Sequence, residues 1–186
     1  WHDCGPEALP AELAGHELLA RVWQGLDPAQ LWDGHVHLLG DGGSGSGCWL
    51  NPRMDSLWHP LLHMQKLFYL NAGCMHEAPG QMDSSYIARM RNLIDGMRPG
   101  FKAMLFAFDW NHDVQGRVQK VHSMFHIPDS YAARVAHLYP AEFEWVASIH
   151  PYREDAVEAL QAAVKDGARA IKWLPSAMGI DPLSPL

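Results

Sequence analysis

The chain has 186 residues, of which 48% are hydrophobic and 19% are charged, so we expect a folded domain with a sizeable core and exclude wholesale disorder. Its formal net charge is −7 and it has no basic patch, which argues against binding to nucleic-acid phosphates. No apolar run reaches the roughly 18 residues of a membrane span, so we expect no membrane partner either.

Short apolar runs alternate with helical patterns along the chain. A helix is predicted for residues 10–24 and a strand for residues 31–39. Further helices are predicted around 57–70, 83–97, 129–138 and 154–166, and further strands at 102–109, 143–150 and 168–174. This β-α-β-α-β-α-β order predicts a parallel sheet with helices outside, without distinguishing an open sheet from a closed barrel.

The chain divides into a short extension and one α/β unit. We interpret residues 1–30 as an N-terminal helical extension and residues 31–186 as the unit that carries function, with a long insertion at about 40–82. The chain opens on Trp1 without an initiator Met and stops at Leu186, so we expect it to be a fragment of a longer protein.

Cysteine usage bears on the compartment. Three cysteines, Cys4, Cys48 and Cys74, are too few and too scattered for a disulfide framework, and they form no C-x-x-C motif. No signal peptide is recognisable. We therefore predict free thiols and a cytoplasmic location.

The strongest chemical signal is Asp33-Gly34-His35-Val36-His37 at the end of the first predicted strand. Side chains at positions i and i+2 of a strand share a face, so His35 and His37 are expected about 6–7 Å apart along the backbone and on one side. Two imidazoles so placed can converge on one divalent cation. Asp33, on the same face, is expected to hydrogen-bond and orient an imidazole. The alternative is two ordinary polar residues at a strand end.

Lys172, in the fourth predicted strand, is the second signal. A lysine that points into a parallel sheet is costly unless it is paired or chemically altered. Three interpretations stay open: a cation that binds a carboxylate, a carbamate that bridges two metals, or a side chain that reaches solvent at the strand end.

Polar residues also end the two middle strands. His150 is predicted to contact substrate or the surroundings of a metal, and Arg153 to hold a carboxylate through two hydrogen bonds. A surface position on the next helix is an equal alternative for Arg153. Asp109 is predicted either to have a similar supporting role or to be a turn or cap residue.

These motifs resemble the amidohydrolase superfamily, and more narrowly its amidohydrolase-related branch of metal-dependent hydrolases. The resemblance covers residues 31–186 and rests on the Asp33/His35/His37 motif, on 148–153, and on Gly-Ala-Arg-Ala-Ile-Lys-Trp-Leu-Pro at 167–175. It implies an α/β fold of (β/α)8 TIM-barrel type, truncated to roughly the first four βα units, since such a barrel takes about 250 residues. The insertion at 40–82 would then cover the active-site mouth.

The resemblance also implies roles for individual residues. His35 and His37 match the family's first metal ligands, and the metal is usually zinc. Lys172 sits where some members carry a carbamylated lysine, although this branch often lacks one. The remaining ligands and the catalytic acid/base belong to later strands of the family's barrel, so the resemblance implies no catalytic acid/base in this chain.

The implied function is hydrolysis of an amide, ester or lactone bond of a small-molecule substrate by metal-activated water. Two alternatives stay open: a metal-dependent decarboxylase or lyase on the same scaffold, and an incomplete fragment that associates with another chain or with a second copy as a homo-oligomer. In the hydrolase interpretation the intact parent protein is the enzyme, and the isolated chain is expected to bind metal weakly and to turn over little.

Overall fold

The computed structural model describes residues 11–75 and 80–185. In chain order, its helices are α1 (Ala11–Ala14), α2 (Glu17–Val22), α3 (Pro60–Ala72), α4 (Met82–Asp95), α5 (Asp129–Leu138), α6 (Ala156–Lys165) and α7 (Pro175–Met178). Its strands are β1 (Trp32–His37), β2 (Trp49–Leu50), β3 (Lys102–Phe106), β4 (Phe125–His126) and β5 (Phe143–Val146). Short 3₁₀ turns span Pro28–Gln30 and Pro52–Asp55. Residues 1–10 of the predicted extension lie outside the described residues.

An open parallel sheet in the order β1-β3-β5 organises the structure, and β2 pairs with β4 as a separate antiparallel ribbon. In the parallel sheet His37 stands opposite Phe106, and Phe106 stands opposite Val146. Beyond β5, the described part of the chain continues the sheet as a single parallel bridge between Ala147 and Ile171. The carboxyl ends of these strands therefore meet along one edge of the sheet.

The predicted (β/α)8 TIM-barrel type fold, truncated to roughly four βα units, is wrong. The parallel sheet has three paired strands and does not close within residues 11–75 and 80–185. The predicted strand at 168–174 contributes one bridge instead of a ladder, and the antiparallel pair has no place in the predicted pattern. Alternating βα units favour parallel neighbours, but closure depends on tilt and stagger that the alternation does not specify.

The hydrophobic core lies on one face of the sheet. Leu105 of β3 and Phe143 of β5 are buried there, together with Tyr131, Ala132 and Val135 of α5. The spacing of these α5 residues places them along one apolar stripe, which explains why the helix packs on the sheet. Because side chains alternate along a strand, Phe106 points to the opposite face, where the candidate site lies.

A buried carboxylate orders the glycine-rich segment 40–47, which composition alone describes as a flexible loop. Asp83 is fully buried, and its Oδ1 accepts a hydrogen bond from the Asp41 N–H at 2.8 Å. Its Oδ2 accepts one from the Ser44 hydroxyl at 2.6 Å. Burial opposes ionisation, but these bonds and those from Ser46 and Gly42 outweigh it and lower the pKa of Asp83. A side chain at Gly40 would collide with this carboxylate, so only glycine fits there.

The cysteines depart in part from the prediction. Cys48 is a free, buried thiol, whereas Cys74 is disulfide-bonded, so the prediction of free thiols is wrong for Cys74. Disulfides persist in oxidising compartments, and the predicted cytoplasmic location loses the support it drew from reduced cysteines. In the part of the chain that the structure describes, every helix is too short or too polar to span a bilayer.

Candidate functional site

Two imidazoles converge at the end of β1. The Nε2 atoms of His35 and His37 lie 2.9 Å apart, and their ring centroids are separated by 4.9 Å. The Phe106 ring, from the neighbouring strand β3, lies 5.0 Å from the His35 ring and 5.8 Å from the His37 ring. The two histidines therefore share the face on which Phe106 lies, although the pairing of β1 with β3 is irregular between Asp33 and Val36. Sequence reasoning missed Phe106, although its place at the end of a neighbouring parallel strand was a signal.

Lys172 approaches this pair from the opposite end of the parallel sheet, where Ile171 forms the bridge to Ala147. Its Nζ lies 3.1 Å from Nδ1 and 3.4 Å from Nε2 of His37. The ammonium group also lies 4.6 Å from the Phe106 ring centroid and 5.2 Å from that of Phe108. In the structure the Lys172 side chain contacts one imidazole and lies over two aromatic rings. The three interpretations of its role stay open. We define His35, His37 and Lys172 as the histidine–lysine cluster.

The cluster disfavours positive charge. Partial burial, the nearby Lys172 amine and the His35 imidazole together lower the pKa of His37 to about 4. Burial also lowers the pKa of Lys172 to about 8. At neutral pH His37 is therefore an uncharged imidazole with one unprotonated ring nitrogen that can bind a cation, and a substantial neutral fraction of Lys172 appears just above neutrality.

The imidazole nitrogens of the cluster could supply two of the four ligands of a zinc ion. Two nitrogens bound to one tetrahedral Zn²⁺ at about 2.0–2.1 Å lie about 3.3 Å apart, close to the Nε2 separation of His35 and His37. Among the described residues, however, no group of three or more histidine, cysteine, aspartate or glutamate side chains could hold a metal. Zinc takes four ligands, so water, substrate or a modified Lys172 would have to complete the set.

Backbone hydrogen bonds position the two histidines. The Asp33 carboxylate accepts the backbone N–H of His35 at 3.0 Å, so it orders the strand end instead of contacting an imidazole. The Tyr86 hydroxyl, from α4, donates to the carbonyl of His37 at 2.6 Å. Tyr86 was absent from the residues predicted for the site. Its contact links α4 to the end of β1 across 49 residues, which strand and helix periodicity do not reveal.

The other three predicted site residues form a separate network. Asp109 is buried, and its Oδ2 accepts hydrogen bonds from the His150 N–H at 2.9 Å and from Arg153 Nη1 at 3.0 Å. Arg153 also makes two hydrogen bonds to Asp155, at 2.9 and 2.7 Å. These two carboxylates raise the pKa of the Arg153 guanidinium. Arg153 therefore holds carboxylates of the protein itself.

Both ring nitrogens of His150 have partners. Its Nε2–H donates to the Met178 carbonyl at 2.8 Å, and its Nδ1 accepts the Tyr152 N–H at 3.1 Å. Burial lowers the pKa of His150, which favours the neutral ring. No lone pair is left for a metal, so the structure gives this histidine the role of joining β5 to α7.

A second group of histidines lies beside this network, in a cavity of about 740 Å³ whose wall includes Asp109, Trp110, His112 and His126. The His126 ring stacks on Trp110 at a centroid distance of 4.2 Å and an interplanar angle of 11°. Its Nδ1 is buried and has no hydrogen-bond partner within the described ranges. Acidic side chains of Glu154 and Glu158 line the same cavity, so its wall carries both charged and aromatic groups.

His126 makes stability depend on pH. Burial lowers its pKa to about 4, with Asp109 opposing and Arg153 and His112 adding to the shift. Because the unfolded chain takes up a proton near pH 6.5 and the folded one near pH 4, the contribution of His126 is complete above pH 6.5 and is lost as the pH falls. Between pH 7 and pH 5 we expect wild type to lose about 1–2 kcal/mol more than His126→Phe, measured by urea unfolding.

Phenylalanine keeps the stack on Trp110 and cannot titrate, so wild type and His126→Phe differ mainly in protonation. Asp129, whose pKa burial raises to about 6, contributes to both chains and cancels in the comparison. Equal losses in the two chains would show that His126 is accessible enough to be protonated without unfolding.

The comparisons with known proteins add no assignment to this geometry. The predicted resemblance to the amidohydrolases therefore stays a prediction. No protein family model, curated protein or solved structure gives a significant match to the chain.

Proposed function

We propose that the protein is a metal-dependent hydrolase in which Zn²⁺ held by His35 and His37 serves the cleavage of an amide, ester or lactone bond. The observation that carries the proposal is the 2.9 Å separation of the two Nε2 atoms, with the Lys172 amine 3.1 Å from Nδ1 of His37. The cluster lies at the carboxyl ends of parallel strands, where ligands of open α/β sheets bind.

The surrounding residues support a role in binding. Phe106 packs against both imidazoles and limits their rotation, while Asp33 and Tyr86 hold the backbone on which they stand. A site whose ligands are held in place before the cation arrives loses less conformational entropy on binding. A bound zinc ion polarises a carbonyl group and lowers the pKa of a bound water to about 7.

Lys172 contributes in one of two ways. As a cation it would stand beside the negative charge that develops on the carbonyl oxygen during hydrolysis. As a neutral amine it can react with carbon dioxide to form a carbamate, which would add an oxygen ligand to the two imidazoles. The lowered pKa of Lys172 favours the neutral amine that the second route requires.

The structure gives less support to the decarboxylase alternative. An arginine that holds the carboxylate of a substrate would favour that interpretation, and Arg153 is the residue predicted to hold a carboxylate. Arg153 is instead paired with Asp109 and Asp155. We therefore retain the hydrolase as the proposed function. It leaves the proton-transferring residue unassigned, because the Asp109 carboxylate is already occupied by three donors.

Metal titration and ester hydrolysis together test the proposal. The chain, stripped with a chelator and dialysed, is titrated with Zn²⁺ against a colorimetric indicator, and hydrolysis of p-nitrophenyl acetate is followed with and without the metal. We expect saturable binding of one zinc ion and a weak hydrolysis that chelator abolishes and zinc restores. Absence of saturable binding, or hydrolysis that ignores chelator, would contradict the proposal.

A further inference from the structure

An apolar cavity of about 310 Å³ opens beside His37. Three parts of the fold form its wall: the end of β1 through Leu38 and Leu39, helix α3 through Tyr69 and Ala72, and helix α4 through Tyr86 and Met90. Gly73, Phe125 and His37 complete the lining. None of the Asp, Glu, Lys or Arg side chains of the described ranges is among these residues.

The two tyrosine hydroxyl groups in this lining already have partners. The Tyr86 hydroxyl donates to the His37 carbonyl at 2.6 Å, and the Tyr69 hydroxyl accepts a hydrogen bond from the Gln65 amide at 2.6 Å. Both tyrosines therefore present ring carbon to the cavity. A charged or strongly polar group placed there would lose its water without gaining a partner, whereas an apolar group would gain contacts.

The size and position of the cavity narrow the ligand further. Pockets for small molecules span about 300–1,000 Å³, so this one lies at the lower end and suits a single ring or a branched alkyl group. His37 belongs both to the cavity wall and to the histidine–lysine cluster. A substituent in the cavity would thus be attached to a bond that lies next to the two imidazoles.

We infer that this cavity binds the apolar substituent of the substrate, an aromatic ring or a branched alkyl group attached directly to the scissile amide or ester. The inference rests on the proposed hydrolase function and adds the substrate class to it. The larger cavity of about 740 Å³ is a weaker candidate, since Glu154, Asp155 and Glu158 line it and His37 does not.

Binding of benzamide to the metal-free protein tests the inference, with acetamide as the control. The two probes share the amide group and differ by the phenyl ring, and without metal neither is cleaved. Methyl NMR signals of Leu39 and Met90 report on the cavity. We expect benzamide to shift them saturably and acetamide to leave them unchanged. Benzamide shifts that are absent, or matched by acetamide, would overturn the inference.

Two substitutions in the lining work in opposite directions. Ala72 is solvent-exposed, so Ala72→Phe can fill the cavity without disrupting the core, and it should weaken benzamide binding at least about tenfold. Met90→Ala enlarges the cavity and should favour 2-naphthamide over benzamide. Leu138→Phe, an exposed apolar-to-aromatic change outside the cavity, should leave benzamide binding unchanged. Equal binding by all four chains would place the probe elsewhere and overturn the inference.

This design separates the cavity from the metal. Benzamide binding together with zinc-dependent hydrolysis supports both proposals, and benzoyl esters should then be cleaved faster than acetyl esters of the same alcohol. Benzamide binding by a chain that binds no zinc would overturn the substrate role of the cavity along with the hydrolase. Zinc-dependent hydrolysis without benzamide binding would leave the hydrolase and overturn only the assignment of the cavity.

Discussion

Zinc affinity is expected to fall about a hundredfold or more when His35 and His37 are both replaced by alanine. Removing a group that only supports a metal ligand costs about 10–100-fold, and loss of both ligands should exceed that range. A hundredfold change corresponds to about 2.7 kcal/mol of binding free energy. Competition titration against a zinc indicator measures the effect for the double variant and for each single variant.

The double variant should remain folded. His35 and His37 are solvent-accessible, and substitutions at such positions usually change the free energy of unfolding by less than about 0.5 kcal/mol. His137→Ala provides the matched control, because His137 is exposed on α5 and its Nε2 makes a 3.2 Å hydrogen bond to the carbonyl of Asp166, which is not part of the histidine–lysine cluster. Zinc affinity that the double variant retains, or that His137→Ala loses equally, would show that the cation binds elsewhere.

The sequence was most informative about this pair because strand periodicity is local. Once residues 31–39 are assigned to a strand, the i, i+2 spacing alone places His35 and His37 on one face. The contact of Lys172 with His37 spans 135 residues and depends on which strands are neighbours. Resemblance to a family placed Lys172 near the metal, while its own strand pattern left three roles open.

The overall fold shows where such local reasoning ends. The strands around 32–37, 102–106 and 143–146 and most of the long helices follow from apolar periodicity, and their parallel pairing follows from the βα alternation. Closure into a barrel does not follow, because it depends on stagger and tilt accumulated over the whole sheet. The predicted barrel is accordingly wrong, although the strands that suggested it are present.

Two features of the insertion could not be predicted because each depends on a partner that is distant in the sequence. The antiparallel pair β2–β4 joins residues 49–50 to residues 125–126, and two-residue strands carry no periodic signal. The ordering of the glycine-rich segment 40–47 depends on hydrogen bonds to Asp83, which lies outside this segment in α4. In each case the partner is distant in sequence, so composition and spacing within one segment could not reveal it.

Asp109, His150 and Arg153 illustrate a different limit. Their residue types and their positions at strand ends suit catalysis, and the structure uses their polar atoms to hold one another. Sequence position predicted that His150 and Arg153 contact substrate or a carboxylate and that Asp109 supports the same site. It could not predict that Asp155 and backbone N–H groups would occupy the hydrogen-bonding capacity of Arg153 and Asp109.

Replacement of Asp109 by alanine is therefore expected to reduce stability by about 3 kcal/mol and to leave zinc affinity unchanged. Its carboxylate is 3% exposed and accepts hydrogen bonds from the Trp110 N–H at 2.8 Å, the His150 N–H at 2.9 Å and Arg153 Nη1 at 3.0 Å. Breaking a buried ion pair costs about 3–5 kcal/mol, and here Arg153 keeps Asp155 as a partner, which places the loss at the lower end. Urea unfolding at pH 7 measures it.

Asp155→Ala is the matched control for this prediction, because it removes the other carboxylate that Arg153 contacts. The Asp155 side chain is 60% exposed, so this pair is worth no more than about 1 kcal/mol. Asp109→Asn keeps the shape and one acceptor oxygen and should lie between the two. If Asp109 has a structural role, stability should be lowered least by Asp155→Ala, more by Asp109→Asn and most by Asp109→Ala. Zinc affinity and chelator-sensitive hydrolysis per folded molecule should stay constant. If Asp109→Asn instead keeps full stability and abolishes hydrolysis, Asp109 is the missing proton-transferring residue, and its hydrogen bonds must rearrange when substrate binds.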